Sequence, residues 1–196
     1  QKACFVTSDT EYKGVYDTST FMIAMNLNKR TLVSNYVCVS AVGELNRCVF
    51  DAGSNTHKVF DIAGHTISFS GFIIKNGKTA TVGGGMTIVE SKSIIENTLF
   101  LNNAAQMGGG LYVAGGTCVL INCEFNTCTS THAGGFGGGA IFSAGTGKLA
   151  IYGTTFVGNV AGNDIFKDIH NTNSGGMIEI HGDCDLAGYD PSLPTV

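Results

Sequence analysis

Three glycine triplets, each in register with a phenylalanine, constrain this chain more than any other feature. Gly83-Gly84-Gly85-Met86 leads to Phe100-Leu101-Asn102-Asn103, and Gly108-Gly109-Gly110-Leu111 leads to Phe125-Asn126-Thr127-Cys128. Gly137-Gly138-Gly139-Ala140 then leads to Phe156-Val157-Gly158-Asn159. The triplets begin 25 and then 29 residues apart, and the phenylalanines lie 25 and 31 apart. A period in this range marks a solenoid, a propeller or a repeat array.

The composition of each unit selects the solenoid. Met86-Thr87-Ile88-Val89, Ser93-Ile94-Ile95, Leu111-Tyr112-Val113, Val119-Leu120-Ile121 and Leu149-Ala150-Ile151 are strand-length, β-branched and bounded by Gly, Asn, Ser or Thr. None has the length or the 3.6-residue period of a helix, which removes the helical repeats, and a propeller blade needs a longer unit. The expectation is an all-β parallel β-helix, a solenoid with rungs of about 25 residues. Equivalent residues then stack at the ~4.8 Å strand spacing.

The stacking predicts a structural ladder. One column is Asn76, Asn103 and Asn159, with Cys128 as the odd member, each Asn bonding up and down the stack. A second is Ile73, Phe100, Phe125 and Phe156 in the core. Gly84, Gly109 and Gly138 are expected at a sharp corner, where glycine supplies dihedrals that other residues avoid.

These motifs resemble the repeats of the chlamydial polymorphic outer-membrane proteins, which pair Gly-Gly-apolar with Phe-x-x-Asn, within the pectin-lyase-like superfamily of right-handed parallel β-helices, and the resemblance implies that hand here. Gly109-Gly110-Leu111, Gly138-Gly139-Ala140-Ile141 and Phe100-Leu101-Asn102-Asn103 carry the likeness. Asn163-Asp164-Ile165-Phe166 is similar to a decayed further copy. The likeness spans roughly residues 60 to 182 and departs at Lys75 and Cys128. It implies a β-helix and a surface or secreted life, without that family's membrane barrel.

Length suits one domain. Residues 1–182 are expected to form a single β-helix, with 1–59 as N-terminal cap and degenerate rungs, 60–182 as regular rungs, and 183–196 as an acidic, Pro-containing tail. Both prolines, Pro191 and Pro194, lie in that tail, which agrees with an unbroken ladder before it. The net charge is −4 with arginine only at Arg30 and Arg47, so no basic stripe marks a nucleic-acid partner. No apolar run is long enough to span a membrane as a helix.

Seven cysteines suit a secreted protein, and disulfides are favoured over metal because no Cys-x2-Cys occurs. Cys123 with Cys128, across a turn, and Cys38 with Cys48, between strands, are the candidate pairs. Seven is odd, so at least one thiol is free or pairs between chains.

No catalytic constellation emerges. Sugar hydrolysis needs two carboxylates facing one bond. Stacking places Glu96 with Ile121 and Tyr152, and Glu124 with Leu99 and Thr155, so no carboxylate column forms in the regular rungs. Asp51 and Asp61 follow similar Val-Phe pairs, which suggests related positions as turn residues bonding to backbone. Asp164, Asp168, Asp183 and Asp185 read as a solvated acidic end, and His65 and His181 as turn residues. No cofactor or metal is expected.

The expected function is that of a secreted or cell-surface structural β-helix. Copies would join head to tail through end rungs and tail into an extracellular filament or adhesive layer. Carbohydrate binding or cleavage is the alternative, although Tyr112 and Tyr152 do not share a column. Ice binding needs an outward Thr ladder, and Thr87, Thr98 and Thr155 are not equivalent. Thr129 to Phe136 is expected to be a protruding loop.

Overall fold

The computed structural model describes residues 15–17, 35–37, 48–53, 57–134, 137–162, 167–172, 177–182 and 184. Three short strands come first: β1 (Val15–Asp17), β2 (Asn35–Val37) and β3 (Cys48–Asp51). The next turn of chain holds β4 (Phe60–Ala63), β5 (Thr66–Ser70) and β6 (Phe72–Lys75). It is followed by β7 (Met86–Glu96), β8 (Leu99–Leu101) and β9 (Ala104–Ala105). Then come β10 (Leu111–Ile121), β11 (Glu124–Asn126) and β12 (Thr129–Ser130). The fourth turn has β13 (Ile141–Ala144), β14 (Lys148–Tyr152), β15 (Thr155–Val157) and β16 (Val160–Ala161). The last has β17 (Ile169–Asn171) and β18 (Met177–His181).

Every ladder between these strands is parallel, and each joins equivalent strands of neighbouring turns. The chain is therefore an all-β parallel solenoid of about five turns, spaced about 26 residues apart. Each full rung has a first strand, a corner, a second strand, a tight turn and a third strand, then a short fourth edge.

The runs 86–89 and 93–95, separate in the sequence, lie in one strand. β7 passes through the corner at Glu90, whose φ is +47°, and β10 through Gly115 and Gly116, at +71° and +70°. Each long strand pairs with two shorter ones on one side: β7 with β4 and β5, and β10 with β13 and β14.

Alternation fills the interior. Along β5, β14 and β18 the second and fourth residues are buried, while the first, third and fifth face outward. The core column of the third strands is Phe50, Ile74, Phe100, Phe125 and Phe156. Ile74, not Ile73, occupies the rung below Phe100. The rings of Phe100 and Phe125 stack at 4.5 Å and 3°, and those of Phe125 and Phe156 at 5.4 Å and 7°. Lower in the stack, Phe50, Phe60, Phe69 and Phe72 form a tilted cluster with centroids 4.9 to 5.5 Å apart. Such rings contribute both buried area and a pairing term.

The triplets stack as Gly83, Gly108 and Gly138, then Gly84, Gly109 and Gly139. The positive-φ corner is the first column, at +64°, +63° and +73°. Of the expected corner glycines only Gly138 belongs to it. Gly84 and Gly109 lie one position later and answer a different need. A Cβ on Gly84 would run into the Ala104 and Gly109 carbonyls, and one on Gly109 into those of Thr129 and Gly139.

Candidate functional surface

Two inward columns flank the third strands and bond one rung to the next. The first is Gly77, Asn103, Cys128 and Asn159. Buried Asn103 accepts from the Gly77 N–H at 2.9 Å and donates to the Ile74 carbonyl at 2.9 Å. Asn159 repeats this two rungs later, accepting from the Cys128 N–H at 2.9 Å and donating to the Phe125 carbonyl at 3.1 Å. Its amide also donates to Asp168 Oδ1 at 2.9 Å. Cys128 sits between them with its Sγ 3.5 Å from the Phe100 carbonyl, the acceptor equivalent to those of Ile74 and Phe125. The thiol thus takes the donor half of the Asn role.

The second inward column is Thr98, Cys123 and Thr154, on the other side of the third strand. The Thr98 and Thr154 hydroxyls donate two residues back, to Glu96 and Tyr152, at 2.9 and 3.1 Å. Cys123 Sγ makes the same bond to Ile121 at 3.5 Å and another to Ile95 at 3.3 Å. This column was visible as Thr-x-Phe, Cys-x-Phe and Thr-x-Phe.

Asn76 does not belong with Asn103 and Asn159. It lies one residue earlier, in an outward column with Asn102, Thr127 and Gly158, all at positive φ between +52° and +61°. Asn tolerates that left-handed backbone. The Asn102 amide donates to Asn76 Oδ1 at 2.9 Å, and the Asn76 amide donates to Asp51 Oδ1 at 2.7 Å. A surface amide ladder therefore runs beside the buried one.

The candidate disulfide between Cys123 and Cys128 is absent: both are buried thiols outside any disulfide, as is Cys118. They serve as small hydrogen-bonding core residues in separate columns on opposite sides of β11. Burial pushes the Cys118 and Cys128 thiols up to about 12. Cys38 and the side chain of Cys48 lie outside the described residues. So do Asp164, Asp183, Asp185 and the tail beyond residue 184.

Among the described residues the acids are dispersed. Asp51 ends β3 in the third-strand sheet, whereas Asp61 sits in β4 of the first-strand sheet, so they are not equivalent. Burial pushes the Asp51 carboxyl up, but bonds from Asn76 Nδ2, the Gly53 N–H and Lys75 outweigh it and hold the group below its ordinary value. Asp61 faces Lys58 at 3.4 Å, and Asp168 is buried against Asn159. Among the described residues no three His, Cys, Asp or Glu side chains gather to hold a metal. No helix long and apolar enough to cross a membrane occurs among them either.

The outward column of the first strands is exposed at Asp61, half-buried at Tyr112 and buried at Thr87, Phe142 and His170. Tyr112 and Phe142 stack at 5.8 Å and 7°, and Phe142 meets His170 edge-on at 5.1 Å. The turns entering the rungs of β7 and β13 fold back onto this row. Gly137 N–H donates to His170 Nδ1 at 2.8 Å, and Thr87 Oγ1 donates to the Val82 carbonyl at 3.1 Å. The expected protruding loop includes β12, which pairs with β9 and β16, so its start is part of the rung.

The second strands make the broad open face. Their three outward columns are Thr66, Lys92, Thr117, Lys148 and Met177; Ser68, Ile94, Val119, Ala150 and Glu179; and Ser70, Glu96, Ile121, Tyr152 and His181. Ile94 is 44% exposed and Tyr152 38%. Tyr152 stacks on His181 at 4.5 Å and 6°, and His181 Nε2 lies 3.4 Å from Glu179 Oε2. No protein-family model, curated protein sequence or solved structure matches this chain.

Proposed function

We propose that this protein is a structural β-helix of the cell surface or the extracellular space, whose copies join end to end into a filament or adhesive layer. The observation that carries the reading is the continuity of the columns. Phenylalanine rings stack over Phe100, Phe125 and Phe156, corner glycines over three rungs and surface amides over two, buried amides recur at alternate rungs about Cys128, and among the described residues each rung bonds only to its neighbours. A stack of this kind is a stiff rod that exposes regular faces, and repeat solenoids offer such faces for binding. Parallel strands at the end of a stack present unpaired backbone groups that template addition of another strand. A head-to-tail contact does not close on itself and so builds filaments. The likeness to chlamydial polymorphic outer-membrane repeats and to pectin-lyase-like β-helices supports a secreted or surface location.

A second reading, binding of a glycan, is favoured by the exposed Tyr152 ring stacked on His181 beside Glu179. Aromatic faces next to a carboxylate suit a sugar.

Negative-stain electron microscopy across a range of protein concentrations tests the first reading. Filaments with an axial repeat near the length of one solenoid are expected, and dispersed particles at every concentration would exclude end-to-end joining. A glycan-binding screen tests the second, with Tyr152→Ala expected to abolish any signal.

A further inference from the structure

The open face of the second strands is patterned for a second copy of itself. Its middle column is apolar over three successive rungs, Ile94, Val119 and Ala150. The first column carries Lys92 and Lys148, and the last carries Glu96 in the rung of Lys92 and Tyr152 in the rung of Lys148. Among the described residues Lys92, Lys148 and Glu96 have no ion-pair partner within the chain. The apolar centre and the charges on opposite edges are both left open.

We propose that two copies pack these faces together about a two-fold axis parallel to the solenoid axis. That operation keeps each rung level with its counterpart and reverses the strand direction. Position one of a strand then meets position five of the same strand in the partner copy, and the middle column meets itself. Lys92 faces Glu96, Lys148 faces the edge of the Tyr152 ring and its hydroxyl, which accepts from the ammonium, and Met177 faces His181. Ile94, Val119 and Ala150 form the dry centre, with the sheets ~10 Å apart as in other face-to-face sheet packings.

The charge pattern selects this axis over a two-fold axis that runs along the strands. An axis along the strands would bring Lys92 onto Lys148 and Glu96 onto Tyr152, which loses the ion pair and adds a repulsion. Glu179 is the one mismatch, since the chosen axis sets it against its own copy.

Five strands of five residues give a footprint of roughly 400 Å² per copy from the ~4.8 Å spacing and ~3.3 Å rise. That is about half of what one partner contributes to a standard interface, so the pair is weak and forms in the micromolar range or above. Side-by-side pairing lies on the flank, and it does not rest on end-to-end joining.

Sedimentation equilibrium of the intact chain, with circular dichroism as a folding control, tests the pairing. Lys92→Glu alone sets two acids opposite each other and is expected to weaken self-association about tenfold, as is Glu96→Lys. The double exchange, Lys92→Glu with Glu96→Lys, restores the pair and returns the dissociation constant to within about threefold of the starting value. Ile94→Lys is expected to leave a monomer, and Glu179→Gln to tighten the dimer. A chain that stays monomeric at every concentration overturns the proposal. So does association indifferent to these substitutions, which would leave end-to-end joining standing, and so does a double exchange no better than its parents.

Discussion

Asn103 and Cys128 occupy the same inward position one rung apart, and the difference between them sets the value of the buried amide. Asn103 satisfies one N–H and one C=O of the rung below. Removing it strands both groups in the interior, where each costs about 1–3 kcal/mol. Asn103→Ala is therefore expected to lower the unfolding free energy by about 2–4 kcal/mol, measured by urea denaturation. Cys128 donates to the Phe100 carbonyl through a weak S–H donor. Cys128→Asn supplies the amide that the column repeats on either side and is expected to raise the denaturation midpoint, whereas Cys128→Ala lowers it. If Asn103→Ala and Cys128→Ala cost the same, the amide adds nothing beyond filling space. The thiols give a second prediction. Cys118 and Cys128 titrate near 12 in the fold against 9.0 for the unperturbed group. A folded-state value raised above the unfolded one means stability is complete below pH 9 and falls as the pH climbs toward 12. At pH 8 both thiols should stay silent to a disulfide reagent until urea unfolds the chain. Reaction of either thiol in the native state would show that the rung opens locally.

At the scale of the turn, two glycines with equal conformational burdens separate backbone strain from crowding. Gly64 and Gly108 both have positive φ, +73° and +63°. A Cβ on Gly64 would meet nothing within 4 Å, while one on Gly108 would collide with the Leu111 carbonyl. Gly64→Ala is expected to cost about 1 kcal/mol from the backbone alone. Gly108→Ala should cost several-fold more or abolish folding, and thermal melts of the pair would show it. Equal shifts would mean that the turn relaxes outward. The triplets announced this corner, yet which glycine turns was hidden, because Gly137-Gly138-Gly139 is offset by one against the other two triplets. The ladder inside the rung was legible for the same reason it is stable: Phe-x-x-Asn puts a ring and an amide at fixed inward positions. Asn76 misled because asparagine suits two adjacent sites, the left-handed outward one and the buried one. Asn102-Asn103 fills both, whereas Asn76-Gly77 fills only the first. The cysteines misled because proximity in sequence across β11 placed them in columns on opposite sides of a strand. The buried end of the outward row, Phe142 and His170, left no mark in the pattern, since what buries it is a turn folding back from the preceding rung.

For the whole molecule, a stack that bonds only between neighbours should transmit damage by distance in rungs. Phe125 is the informative position because it stacks on Phe100 below and Phe156 above, at nearly parallel angles. Phe125→Ala removes both ring contacts and opens a cavity, at about 3–5 kcal/mol. Repeat proteins behave as a sum of unit stabilities and interface terms, so losing two interfaces at once weakens the coupling between the halves. Hydrogen exchange on the intact variant should then show amides of β8, β11 and β15 losing protection together. The rungs of Phe72 and Phe50, two and three steps away, should keep most of their own, since the four rings there contact one another. A uniform loss of protection through every rung would mean that the solenoid unfolds as one cooperative unit, with the coupling carried by the long bent strands β7 and β10 rather than by the aromatic column. Those strands each pair with two shorter ones on one side, so the distinction is between two physical couplers. Exchange resolved by strand assigns the stiffness of the rod to one of them.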